Sequence, residues 1–166
     1  MSRISQQLAD AINDQIGLEI QSFYVYHTMA NWLESLNWHK ASKYYYEQAQ
    51  EEFAHSQKFT DFLMDLGVDV KTHDLKAPPA TYENVKAALV AVLEHEKLVT
   101  DKIHALYKMA QENGDLAAYP ILLWFIEEQI EEEAIATEVV ERYGHFREND
   151  LMWDHRMKKK DLGITD

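Results

Sequence analysis

Residues 48–59 read QAQEEFAHSQKF. Counting outward in steps of three and four gives the row Tyr45, Gln48, Glu52, His55, Phe59, Phe62, Leu66. Recurrence at that spacing marks the buried stripe of an amphipathic helix. Two ionisable side chains, Glu52 and His55, stand in the middle of a stripe that ends in phenylalanine and leucine. The fold depends on why they are there.

Three other segments repeat the pattern. The second-helix stripe belongs to residues 40–67, with Gly67 as its stop signal. A first helix is predicted over 4–36 with the row Ile12, Ile16, Glu19, Phe23, Tyr26, Ala30, Leu33. A third over 82–113 runs Val85, Leu89, Val92, Glu96, Val99, Ile103, Leu106, Ala110, with Thr81 as N-cap. A fourth over 116–143 runs Leu122, Phe125, Gln129, Glu132, Ala136, Val139, Tyr143 and stops at Gly144. Steps of three and four suit helices packed at a shallow angle in a bundle. The tight links at 37–40 and 113–116 make antiparallel neighbours of helices one and two, and of three and four. Residues 67–82 between the pairs reach roughly 50 Å when extended, against roughly 40 Å for a helix of about 27 residues. The third helix can therefore start at the far end of the bundle. A shorter fifth helix is expected over 148–161. The fold expected is all-α: one domain, residues 1–166, a four-helix bundle with a long crossover between helices two and three and a short C-terminal fifth helix.

Composition narrows the chemistry. Gly (5) and Pro (3) are scarce, as a helical chain requires. The absence of cysteine excludes disulfides, thiolate-bound zinc, iron–sulfur clusters and cysteine nucleophiles. A net charge of −13 without a basic stripe opposes nucleic-acid binding. The first fifteen residues hold no uninterrupted apolar run, so neither a signal peptide nor a membrane span is expected, and the location expected is cytoplasmic.

Each of the four rows is broken near its middle by a side chain able to bind metal: Glu19, then Glu52 with His55, then Glu96, then Gln129 with Glu132. One such break would usually be a water-satisfied or hydrogen-bonded core group. Four coincident breaks bring four carboxylates together with no Lys or Arg in any row to meet them. Desolvating one carboxylate costs several kcal/mol even after relaxation, against a net domain stability of about 5–15 kcal/mol. Protonation would neutralise some; two divalent cations offset the charge fully. One imidazole among carboxylate and amide oxygens is a hard donor set suited to iron or manganese. Di-metal carboxylate bundles take a Glu from each of two helices and a Glu-x-x-His from each of the others. Glu19 and Glu96 match the single glutamates, and Glu52–His55 matches one motif. The second motif here reads Gln129-Ile130-Glu131-Glu132, without the histidine. One site would then hold Glu19, Glu52 and His55. The other would share Glu52 with Glu96, Glu132 and, weakly, Gln129, a looser set suited to iron in transit.

At these residues the chain resembles the ferritins, most of all the bacterial non-haem ferritins, through LEIQSFYVY (18–26), QAQEEFAH (48–55), EHEKLVTDKI (94–103) and LLWFIEEQIEEE (122–133). The resemblance implies an iron-storing ferroxidase. Twenty-four subunits would form a hollow shell, with Fe(II) oxidised by O2 or H2O2 at an intrasubunit di-iron centre and stored as ferric mineral. It assigns Tyr26 to the tyrosine beside the centre, and Glu51, Glu128 and Glu131 to a third iron site that Glu132 also borders. Trp124 matches a family aromatic. Bacterioferritins carry a haem-ligating methionine where this chain has Phe53, so no haem is expected. A di-iron or di-manganese peroxidase that keeps its metals, and a non-enzymatic acidic scaffold, are the rival readings.

Overall fold

The computed structural model describes residues 3–145 and 153–154. Four long helices make the bundle: α1 (Gln6–Ser35), α2 (His39–Asp65), α3 (Val85–Asn113) and α4 (Tyr119–His145), the last preceded by a 3-10 turn at Leu116–Ala118. No strand occurs among the described residues. α1 packs along α2 and α3 along α4, as the short links require.

The helix ends arise from local chemistry. Ser5 caps α1, its Oγ accepting from the Leu8 amide at 3.2 Å, while the Asp115 carboxylate accepts from both Ser5 N and Ser5 Oγ at 2.7 Å. The start of α1 is thereby fixed to the α3–α4 turn. α1 closes through Asn37 at φ 64, a conformation asparagine tolerates better than most side chains. α2 and α3 end at Gly67 (φ 68) and Gly114 (φ 70), where only glycine is unstrained. Two expected boundaries move. Asn84, rather than Thr81, caps α3 by accepting from the Ala87 amide at 2.9 Å. α4 runs through Gly144 to His145, because that glycine keeps negative φ and does not terminate the helix.

The crossover is strapped along α1 by side chains two turns apart. Asn13 Nδ2 donates to the Asp69 carbonyl at 3.2 Å, and its Oδ1 accepts from the Lys71 amide at 2.8 Å. Gln21 repeats the arrangement on Lys76, at 2.9 and 2.8 Å. Midway between them, His73 lies over Gly17 so closely that a Cβ there would sit 2.7 Å from the His73 Cγ. Residues 13, 17 and 21 form a single i, i+4 column facing the strap. The column leads the chain up α1 until Tyr82 meets Trp32, ring centroids 5.2 Å apart.

Most of the expected rows are buried, with two local changes. Phe23 is only half-buried, and Ser22 takes the interior position. Beyond Phe59, α2 steps four residues to buried Leu63, leaving Phe62 and Leu66 half-buried against the cluster edge. The expected fifth helix, 148–161, lies outside the described residues except for Trp153 and Asp154. Trp153 is buried against Trp38 and Tyr143. Asp154 Oδ1 accepts from the Ala41 amide at 2.9 Å, serving the start of α2, which has no cap from its own Trp38. The apolar interior forms two clusters, one around Tyr26, Leu33, Leu89 and Tyr143, the other around Ile12, Phe59, Ile103 and Phe125. A polar layer separates them.

Candidate metal centre

All six row-breaking residues are buried in that layer: Glu19, Glu52, His55, Glu96, Gln129 and Glu132. Helical periodicity puts them there, each continuing the apolar row above and below it. The first hairpin, α1–α2, supplies Glu19, Glu52 and His55. The second, α3–α4, supplies Glu96, Gln129 and Glu132.

The first trio can hold an ion as it stands. One ligand atom from each of Glu19, Glu52 and His55 lies within 4.8 Å of the others, the one such trio found among the described residues. His55 Nδ1 is 3.6 Å from Glu52 Oε2. Gln15, one turn before Glu19, donates to Glu19 Oε1 at 2.8 Å. Glu19 Oε2 is buried without a hydrogen-bond partner. A buried carboxylate oxygen left without a donor is costly, and a cation between the three side chains would satisfy it.

The second trio is bound up in protein contacts. The Tyr26 hydroxyl donates to Glu96 Oε1. Gln129 Nε2 lies 3.2 Å from Glu96 Oε2 and 3.3 Å from Thr100 Oγ1. Glu132 and Glu96 border one small cavity with Tyr26, Tyr44, Tyr45 and Gln48. Gln129 thus reaches the centre through Glu96.

Electrostatics agree with a cation site. Burial, then the neighbouring Glu52, pushes the Glu19 carboxyl well above its ordinary range. Burial, then Glu96 and Glu132, does the same to Glu52. Glu132 is raised to about 8 by burial, with Glu96 and Glu51 adding to it. These groups favour protons over bare charge, and a divalent ion would displace those protons.

Of the expected third-site residues, Glu51 is half-buried and accepts from Gln48 Nε2. Glu128 is half-buried with Oε1 3.8 Å from His55 Nε2. Glu131 is exposed, so this trio is spread from the interior to the surface. Trp124 lies edge-on to His55 with centroids 5.7 Å apart, and Lys58 Nζ sits 4.0 Å from its ring centre. Phe53 is 50% exposed, edge-on to Phe23 on the α1–α2 face. Gln15 and Thr100 were not singled out in the sequence. Gln15 had a usable signal, its i, i+4 relation to Glu19.

A four-helix bundle that draws buried carboxylates and a histidine from all four helices into one layer is a carboxylate-bundle protein. The chain belongs to the ferritin family: the family model described as a Ferritin-like domain matches residues 9–144. A probable bacterial non-heme ferritin-like protein of Haemophilus influenzae is 30% identical over 146 residues, 88% of each chain. A bacterial non-heme ferritin of Escherichia coli is 28% identical over 139 residues, 84% of each. Among solved structures, the open pore ferritin of the hyperthermophilic archaeon Archaeoglobus fulgidus superposes with a TM-score of 0.90 at 36% identity, covering all of both chains. No helix among the described residues is long and apolar enough to cross a membrane.

Proposed function

We propose that this protein stores iron and detoxifies it, oxidising Fe(II) to Fe(III) with O2 or H2O2 and holding the product as ferric mineral inside a homo-oligomeric shell of 24 subunits. The observation that carries the reading is the buried Glu19–Glu52–His55 trio with its orphaned carboxylate oxygen. Family membership supports the same conclusion.

Iron is the substrate. Glu19, Glu52 and His55 take the first ion. Glu52, whose carboxyl feels Glu96 and Glu132 of the other hairpin, bridges to the second, which Glu96 and Glu132 hold, with Gln129 orienting Glu96. Glu51, Glu128 and Glu131 form the third, outermost site along which iron passes. Anionic oxygens favour Fe(III) over Fe(II), because the harder, higher charge gains more from them. Two adjacent ions deliver two electrons to one oxidant together, avoiding a one-electron route. Tyr26 stands beside the centre as a redox-active donor. The whole chain, 1–166, acts as one domain in the cytoplasm, without haem and without nucleic-acid or membrane partners.

Glu52→Ala removes the bridge. Stopped-flow absorbance after aerobic Fe(II) addition should show rapid oxidation in the native protein and none in the variant; unchanged kinetics would refute the assignment. Iron loaded per particle separates storage, at thousands of atoms per shell, from a fixed cofactor, at two per subunit.

A further inference from the structure

Two residues outside the buried layer stand one turn beyond its members on the second hairpin. On α3, Thr100 follows Glu96 at i, i+4; on α4, Glu133 follows Gln129 at the same spacing. Each pair therefore shares a face of its helix, and because α3 packs along α4 the two pairs interlock. Thr100 Oγ1 donates to Glu133 Oε2 at 3.1 Å. Gln129 Nε2 donates to Thr100 Oγ1 at 3.3 Å, to Glu96 Oε2 at 3.2 Å and to the Glu96 carbonyl at 3.4 Å. These contacts run from a groove on the surface of the hairpin, which Thr100, Gln129 and Glu133 line, to a buried carboxylate of the proposed centre.

Donor counting fixes the direction of the chain. A threonine hydroxyl has one hydrogen. Glu133 takes it, so towards Gln129 the hydroxyl can only accept. An ionised Glu96 offers only acceptors as well. Three acceptors converge on the Gln129 amide nitrogen, and reversing the amide would set its oxygen against all three. Without Glu133 the hydroxyl hydrogen is free to turn to the amide oxygen, and both orientations of the amide find a partner. We propose that Thr100 and Glu133 are positioning residues for the second iron, locking the Gln129 amide so that it holds the Glu96 carboxylate in place.

The lock rests on the two-iron reading and deepens it. The first hairpin brings its three ligand atoms together by itself, with Gln15 steadying Glu19 from one turn away. No such trio forms on the second hairpin among the described residues, so the second ion depends on how firmly Glu96 is held. Loss of a hydrogen-bond partner behind a ligand weakens metal binding about 10–100-fold. Thr100 and Glu133 act one step further out, through Gln129, which places their effect at about 10-fold.

The test titrates the metal-free, full-length protein with Fe(II) under argon by calorimetry, and melting temperatures check that each variant folds. Glu96→Ala identifies the second ion as the one whose binding it abolishes. Thr100→Val keeps the shape of the side chain and should weaken the second ion about 10-fold while leaving the first unchanged. Thr100→Ser, which restores the hydroxyl, should return the native affinity. Glu133→Ala should weaken the second ion as Thr100→Val does; Glu133→Gln, whose amide oxygen can still accept, should not. Native affinity for the second ion in Thr100→Val, or equal weakening of both ions, would overturn the lock alone. So would a Glu133→Gln variant as weak as Glu133→Ala, because charge rather than hydrogen bonding would then be acting. A native protein that binds fewer than two Fe(II) per subunit would overturn the two-iron reading and the lock with it.

Discussion

Raising the pH should destabilise the metal-free protein, and Glu132 sets a scale for the effect. Its carboxyl is held at about 8 in the fold against 4.5 when free. Between those values the folded chain binds a proton that the unfolded chain has released, so unfolding free energy falls as pH rises. The stability contributed by the protonated form is complete below pH 4.5 and is lost through pH 8. From pH 5 to pH 8 the loss is about 3.5 kcal/mol for this one group. For a chain of this size that corresponds to roughly 7–14 °C in Tm. Glu19 and Glu52 are shifted in the same direction and steepen the slope. Melting of chelator-treated protein, followed by circular dichroism at fixed protein concentration across this range, measures the slope. Glu132→Gln should flatten it by about Glu132's share. A Tm constant or rising from pH 5 to 8, or a slope untouched by Glu132→Gln, would refute the idea that these carboxyls are buried together.

Three further outcomes are expected. Gly17→Ala drives a methyl into His73 and should cost about 1–3 kcal/mol in denaturant unfolding; in a His73→Ala background much of that loss should vanish. Asp154→Ala removes the acceptor at the start of α2 and should cost about 1 kcal/mol, read as a small drop in the urea midpoint. Gln129→Glu combined with Glu132→His writes the Glu-x-x-His motif into α4. It should slow release of the second iron to a chelator, as followed by absorbance of the chelate.

The helices and the polar layer were legible because burial in a bundle repeats every three or four residues. Glu19, Glu52, His55, Glu96, Gln129 and Glu132 interrupt that repeat at matching heights. The strap was not legible. Asn13 and Gln21 bind backbone atoms of residues 69–76, and Gly17 makes room for His73 between them. No side-chain pattern in the crossover announces a backbone partner. Phe62 does not take the interior position because steps of three and four both keep a residue near the stripe, and only packing against the neighbouring helix chooses Leu63 instead. α4 continues past its expected stop because Gly144 does not take the positive φ with which a glycine closes a helix.

The division of the buried carboxylates between the hairpins has a mechanical consequence. Whenever they ionise, the carboxylates on one hairpin confront those on the other across the long seam of the bundle. A cation shared between them reverses the sign of that force, turning a line of mutual repulsion into a rivet. Iron passing through the centre would then do more than change oxidation state: each arrival tightens the two halves of the subunit, and each departure slackens them.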